Sequence, residues 1–313
     1  MKFVLCLVTA VSLVSAACAN GSTQDSEHWD DLLSYIHTTQ DNASSWRSHD
    51  ILLYHQSFVQ GEISDGSPRS HTTVSRIIVD WDRKQALTIT KTIFETDDQP
   101  ETLKDLKTKL SFKVLQYSSG NGSSLSIPGN RITLVKDLDL STALSHASVH
   151  DVRWAGSRLE IEGYQRNGFD AYMRNRSIKN GQPPARVSVL HRDGELSFTY
   201  QVRNGMLQAG YVFDSNSLMT KRLTSMEKSG DLGFVPTRTV DFWWEEMNGI
   251  YIPKQMSSES MNGPKGRRFD TMQFHWFSLN EPLDSKFFDK RLLDDIGSLN
   301  KMIDPAGLGV SFD

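Results

Sequence analysis

The chain has 313 residues, enough to bury a large core in one β-rich body or two smaller ones. Its 38% apolar and 23% charged residues are those of a globular protein, not a disordered tail. A net charge of −4, with no Lys/Arg cluster interleaved with aromatics, excludes the electrostatic footprint of a nucleic-acid binder.

The first residues read as a processing segment. Lys2 precedes the apolar run Phe3–Val14, and Ala17-Cys18-Ala19 supplies a small-x-small cleavage site before Asn20. The run is too short for a transmembrane helix, and no later segment reaches eighteen apolar residues, so no transmembrane segment is expected. We therefore expect export, to a periplasmic or extracellular location. Both cysteines, Cys6 and Cys18, fall in this segment, so cleavage after Ala19 leaves no thiolate, no disulfide and no cysteine metal ligand. Ser15-Ala16-Ala17-Cys18 also resembles a bacterial lipobox, with Ser15 where Leu is usual. On that reading the protein is a lipoprotein anchored through Cys18.

Ser26 is an N-cap, and Trp29, Leu32, Leu33 and Ile36 share one face of a short amphipathic helix that the polar run Thr38–Ser45 ends. From Asp50 the pattern turns to strands. Ile51–Gln60, Thr72–Trp81 and Ala86–Glu95 are rich in β-formers, the last two forming a hairpin through Asp82-Arg83-Lys84. Thr102–Leu110 has helical leucine spacing, and Phe112–Tyr117 is extended. Ser118–Ser126 reads as a Gly/Ser surface loop. Ile132–Val135 is a short strand and Leu138–Ala147 a short helix. Val149–Trp154 and Arg158–Tyr164 flank a hairpin signal, and Asn175–Pro184 reads as a mobile loop. Arg186–His191, Glu195–Val202 and Met206–Asp214 are strands joined at Asp193-Gly194 and Asn204-Gly205. Leu218–Met226 is ambiguous between helix and loop.

The aromatic-rich stretch from Arg238 to Leu283 is the most informative. Val240, Phe242 and Trp244 alternate with Asp241 and Trp243, and Met247-Asn248-Gly249 turns the chain into a run through Tyr251, Ile252 and Pro253. After the turn Asn262–Gly266, Met272, Phe274 and Trp276 alternate with Gln273, His275 and Phe277. Both faces carry large apolar groups. Phe288, Leu292 and Ile296 then recur every four residues, which predicts a closing helix, and Pro305, Gly307 and Gly309 end regular structure. The absence of a βαβ rhythm argues against Rossmann and α/β-barrel folds, and the absence of a fixed repeat against a propeller.

Two stretches, Gly249-Ile250-Tyr251-Ile252-Pro253-Lys254 and Phe274–Leu283 with its Asn280-Glu281-Pro282-Leu283 ending, resemble the C-terminal strands of the LolA/LolB-like family of lipoprotein-sorting and lipid-carrier proteins. The likeness covers the last third of the chain, and elsewhere holds by element order. It implies a mainly β fold, a large curved antiparallel sheet (an unclosed β-barrel) wrapped around short helices. The resulting division is a signal peptide over 1–19, a helix and linker over 20–50, a sheet domain over 51–283, and a C-terminal helix and tail over 284–313 in the same domain.

That fold implies a non-enzymatic exported carrier holding an acyl chain, lipid or lipoprotein in an apolar concave cavity. The candidate lining residues are Trp81, Phe94, Phe198, Tyr200, Tyr211, Phe213, Phe242, Trp244, Phe274 and Trp276. Taken singly, each is more simply a core residue. The alternative is a polysaccharide-binding protein using surface aromatics or, further off, a glycoside-acting enzyme. For the latter, Glu245 and Glu246 point to opposite faces of a strand and cannot form the carboxylate pair together, although Glu259 lies near aromatics. No Gly-x-Ser-x-Gly elbow, phosphate loop or dinucleotide fingerprint is present.

No metal or cofactor is expected. Among nine histidines, His146 and His150 lie four apart beside Asp151 but straddle a predicted helix-strand boundary and lack the glutamate of a zinc helix. Asp97-Asp98 and Asp294-Asp295 lack the spaced ligands of a calcium loop. Lys265-Gly266-Arg267-Arg268 reads as a solvated turn.

Overall fold

The computed structural model describes residues 31–32, 34–35, 38, 41–42, 44–61, 70–95, 110–127, 131–146, 187–202, 207–261 and 266–312. The processing segment, the predicted strands within 149–164 and the loop 175–184 lie outside them. So does the helix predicted over 102–110, except that Leu110 opens a strand.

Among the described residues there are thirteen strands: β1 Ser48–Gly61, β2 Ser70–Asp80, β3 Gln85–Glu95, β4 Leu110–Ser118, β5 Asn121–Ile127, β6 Arg131–Lys136, β7 Val187–Arg192, β8 Glu195–Val202, β9 Leu207–Asp214, β10 Thr220–Lys228, β11 Phe234–Met247, β12 Ile250–Met261 and β13 Gly266–Leu279. Besides helical residues before β1, short α-helices accompany them at α1 Leu140–His146 and α2 Ile296–Met302. The strands hydrogen-bond in the order β6-β5-β4-β3-β2-β1-β13-β12-β11-β10-β9-β8-β7. Each run pairs with its sequence neighbour, as short turns require of antiparallel strands. Among the described residues only the β1–β13 junction joins strands distant in sequence. Among the described residues the end strands β6 and β7 are not paired with each other, so the sheet is not closed into a barrel.

By their contacts the residues divide into two compact units, Met1–Gln40 with Gly156–Asp241, and Asp41–Ala155 with Phe242–Asp313. In the first unit the cross-strand partners Phe198 and Tyr211, then Leu196 and Phe213, bury one sheet face. Leu32 of the N-terminal helix is fully buried, and the ring of Tyr35 packs 5.5 Å from Phe198 and 5.3 Å from Phe213. Trp29, Leu33 and Ile36 lie outside the described residues. Thr38, Asp41, Asn42 and Ser44 are helical, so the polar run that was expected to end the helix is itself helical at these positions.

The segment left ambiguous between helix and loop is strand β10. Its buried residues Thr220, Leu223 and Met226 fall three apart because the ladders shift register at Thr220/Arg222 and at Ser225/Met226. An inserted bulge residue destroys the period-two signal while leaving a strand.

The second unit buries both sheet faces, and β2 is buried without interruption from Val74 to Asp80. One face carries Trp46, Ile51, Leu53, Ile77, Val79, Ala86, Tyr117, Phe274 and Trp276 beneath Leu140, Ala143 and Leu144 of α1. The other carries Ile78, Leu87, Ile89 and Val114 beneath Phe288, Leu293, Leu299 and Ile303. Here the structure corrects two expectations. The Gly/Ser stretch read as a surface loop is the hairpin strand β5, because Ser119 (φ 50°) and Gly120 (φ 85°) both adopt the left-handed conformation of a two-residue turn. The closing segment is two 3-10 turns, Ser285–Phe288 and Lys290–Asp294, followed by α2, rather than one helix. Asp284, Asp289 and Asp295 each accept a backbone N–H and restart the chain. The burial register becomes Phe288, Leu293 and Leu299, and Ile296 is left exposed.

A buried ion pair ties this closing segment to the sheet. Arg76 donates through Nε and Nη2 to Asp50 at 2.9 and 2.8 Å, and through Nη1 to the Met302 carbonyl at 3.2 Å. Its guanidinium lies 4.6 Å from the Phe277 ring centroid. The Asn280-Glu281-Pro282-Leu283 stretch acts locally. Asn280 adopts φ 58°, its side chain accepts from the Arg47 N–H at 2.6 Å, and it donates to the Ser45 carbonyl at 3.0 Å. Asn42 clamps the start of β12, donating to the Tyr251 carbonyl and accepting its N–H at 2.6 and 2.9 Å.

Candidate functional site

Strand register fixes what lies beside what on the α1-covered face of the second unit. Residues two apart on a strand share a face, so Ile51, Leu53, His55 and Ser57 of β1 all point the same way. Opposite them on β13 stand Trp276, Phe274, Met272 and Asp270, and on β2 stand Ile77, Ser75, Thr73 and His71. β3 continues the rows with Thr88, Thr90 and Thr92, and its Phe94 is the backbone partner of His71. β12 adds Met256 and Ser258 beside Met272 and Asp270.

The face is therefore graded. Under α1 it is aliphatic and aromatic, with Trp46 edge-on to Trp276 at 5.1 Å. Midway, Phe274, Met272 and Met256 run beside a hydroxyl stripe in which Ser75 donates to Thr90 and Thr73 bonds Thr92, both at 3.1 Å. At the far end it is ionic. Ile51 and Ser57 mark its two ends on β1, six residues and about 20 Å apart.

At the ionic end Asp270 is the hub. His55 Nε2 lies 2.9 Å from its Oδ1, Arg268 reaches it through Nε and Nη2 at 3.1 Å, and Ser258 donates to Oδ2 at 3.4 Å. Ser57, almost fully buried, also bonds it. Burial pushes the Asp270 carboxyl up, but the bonds from His55, Arg268 and Ser57 together with the Arg268 charge outweigh it and hold the group well below the usual carboxylate range. The His71 ring meets that of His55 edge-on at 5.7 Å. Burial lowers the His71 pKa first, and the charges of His55 and Arg268 lower it further against the opposing pull of Asp270. Sequence reading treated these histidines singly and Arg268 as part of a solvated turn. In the structure Arg267 and Arg268 lie in β13, the first bonded to Glu259 at 2.6 Å and the second to Asp270. Asp270 lies 215 positions from His55, and no local motif announces that pairing.

Trp276 Nε1 donates to the Pro253 carbonyl at 2.9 Å. Two other buried donors of this unit, Trp46 Nε1 and Thr88 Oγ1, have no hydrogen-bond partner among the described residues. A buried donor left without a partner costs about 1–3 kcal/mol.

The predicted lining residues are split between the units. Phe274 and Trp276 lie on the graded face, and Trp81 packs partly buried at its edge. Phe242 is buried and stacks on Trp244 at 6.0 Å in the same unit. Phe198, Tyr211 and Phe213 belong to the first unit, where Tyr35 packs on the two phenylalanine rings. Phe94 and Tyr200 are strand residues of β3 and β8. Among the described residues no group of three or more metal-ligating side chains comes together, and no helix is long and apolar enough to cross a membrane.

The chain matches no family model and no curated protein sequence. Its structure is similar to that of a LolA superfamily protein from Nitrosomonas europaea, at 8% identity and TM-score 0.38 over 83% of this chain and 97% of that one. It is more distantly similar to a porin-like protein from Bacteroides uniformis, at 8% identity and TM-score 0.23 over 72% and 96% of the two chains. A β-barrel-like protein of a domain of unknown function from Brucella abortus gives 10% identity and TM-score 0.23 over 75% and 100%. Likenesses this distant assign no family.

Proposed function

We propose that the protein is a non-enzymatic exported binding or carrier protein that holds an acyl chain, as a free lipid or as part of a lipoprotein, along the graded face of its second unit. The observation that supports this is the change of side-chain chemistry within one face, from Trp276 and Ile51 through Phe274 and Met272 to His55 and Asp270. An amphiphile complements such a gradient, with its chain on the apolar rows and its polar end on the ionic one.

The test is titration of the delipidated full chain with a fluorescent fatty acid, beside urea unfolding of Phe274→Trp. Binding is expected to saturate in the wild type. The added ring in Phe274→Trp should weaken binding at least tenfold while costing only about 0–1 kcal/mol, since it enters ligand space rather than filled core. Absence of saturable binding in the wild type, together with a cost of about 1–3 kcal/mol in the variant, returns Phe274 to a packed core and overturns the proposal. An empty protein that is retained on a glycan column would favour the polysaccharide-binding alternative.

A further inference from the structure

We infer that the ionic end of the graded face is an oxyanion site, in which His55, His71 and Arg268 receive the phosphate or carboxylate head of the bound amphiphile. This rests on the amphiphile reading above and names the chemistry of its polar end. Among the described residues the groups that meet there are His55 and Ser57 from β1, His71 from β2, Asp270 and Arg268 from β13, and Ser258 from β12. Three of these carry or can take positive charge, and Asp270 alone is negative.

Asp270 does not offer a cation site. Its oxygens already accept from His55, Arg268, Ser57 and Ser258, so its charge is spent inside the cluster. Its effect is to fix the imidazole of His55 and the fork of Arg268 in place. The Arg268 side chain stays 43% exposed while so held, within reach of a ligand. Charge effects at His71 agree with an anion site, since His55 and Arg268 each lower its pKa more than Asp270 raises it. Burial is the largest cause of the lowered His71 pKa, and an arriving oxyanion would oppose the part that His55 and Arg268 contribute.

The experiment measures binding of three probes to the full chain by calorimetry: palmitoyl lysophosphatidic acid, monopalmitoyl glycerol and inorganic phosphate. It follows the His71 and His55 imidazole signals by NMR across pH 5–8 in parallel. We expect lysophosphatidic acid to bind about tenfold tighter than the uncharged glyceride, with the advantage growing as pH falls through the histidine range and the His71 titration moving upward on binding. In His71→Gln the ratio of the two affinities should collapse about tenfold. Because the wild-type NMR titration needs no variant, a folding defect in His71→Gln leaves the inference testable.

Equal affinity for the charged and uncharged lipids, with unmoved histidine signals, overturns the oxyanion site and leaves chain binding standing. Binding of inorganic phosphate that shifts both histidines, with no gain from an acyl chain, upholds the oxyanion site and overturns the amphiphile reading. Failure of all three probes to bind overturns both.

Discussion

Thr88 places a hydroxyl on the graded face between Ile77 of β2 and Leu115 of β4, and nothing among the described residues accepts or donates to it. Replacing it with valine keeps the shape and removes the unpaired group, so Thr88→Val is expected to stabilise the ligand-free protein by about 1 kcal/mol in urea unfolding. A loss of stability would show that the hydroxyl has a partner. The Asp270 cluster sets two opposite pH dependences. Asp270 is lowered in the folded state, so its contribution is complete above the ordinary carboxylate pKa of about 4 and is lost as pH falls through the folded value. His71 is also lowered, but for a base this means that the unfolded chain takes the proton first. Stability is full above about pH 6.5 and declines as pH falls from there toward the folded pKa. Stability curves of His71→Gln should lose the decline near neutrality, and those of Asp270→Asn the steeper one below pH 4. Unchanged curves would show that these groups titrate alike in both states. At this scale the sequence is least informative, because the partners of Asp270 come from three strands and are joined only by register.

Legibility improves for elements, and where it fails the cause is local geometry. The hairpin at Asn248-Gly249 was readable because both residues take positive φ, which that pair favours. The same conformation at Ser119-Gly120 was missed because the flanking serines of β5 looked like loop composition, although they alternate in a ladder with β4 and β6. β10 was obscured by its register shifts, and the closing segment by three aspartates that cap and restart it. The N-terminal helix kept its predicted apolar face in part. Leu32 is buried without exposure, so Leu32→Ala should cost about 2–5 kcal/mol. Ala209, the cross-strand neighbour of Tyr200 on the buried side of β9, is 2% exposed. Ala209→Phe should cost about 1–3 kcal/mol there by overpacking. Urea midpoints of the two variants decide whether this face of the first unit is filled core. If Ala209→Phe is neutral, spare volume exists and Phe198, Tyr211 and Phe213 return as ligand-lining candidates.

For the whole molecule, the mainly β character was legible from period-two patterning and turn chemistry, because both depend on neighbours in sequence. The β1–β13 pairing, which brings Leu53 beside Phe274 and Ser57 beside Asp270, was not, since nothing local records which distant strands meet. Export stands apart from the fold, because Met1–Ala19 is read by its own polarity pattern and not by packing. Its test is the intact mass of protein recovered from its native host. A mass beginning at Asn20, with no uptake of iodoacetamide, is expected, because Cys6 and Cys18 both precede the cut. A diacyl or triacyl adduct on an amino-terminal Cys18 would establish the lipobox reading and make the protein a membrane-anchored one. Retention of Met1–Ala19 would overturn export itself, and with it the expectation that the proposed amphiphile is met outside the cytoplasm.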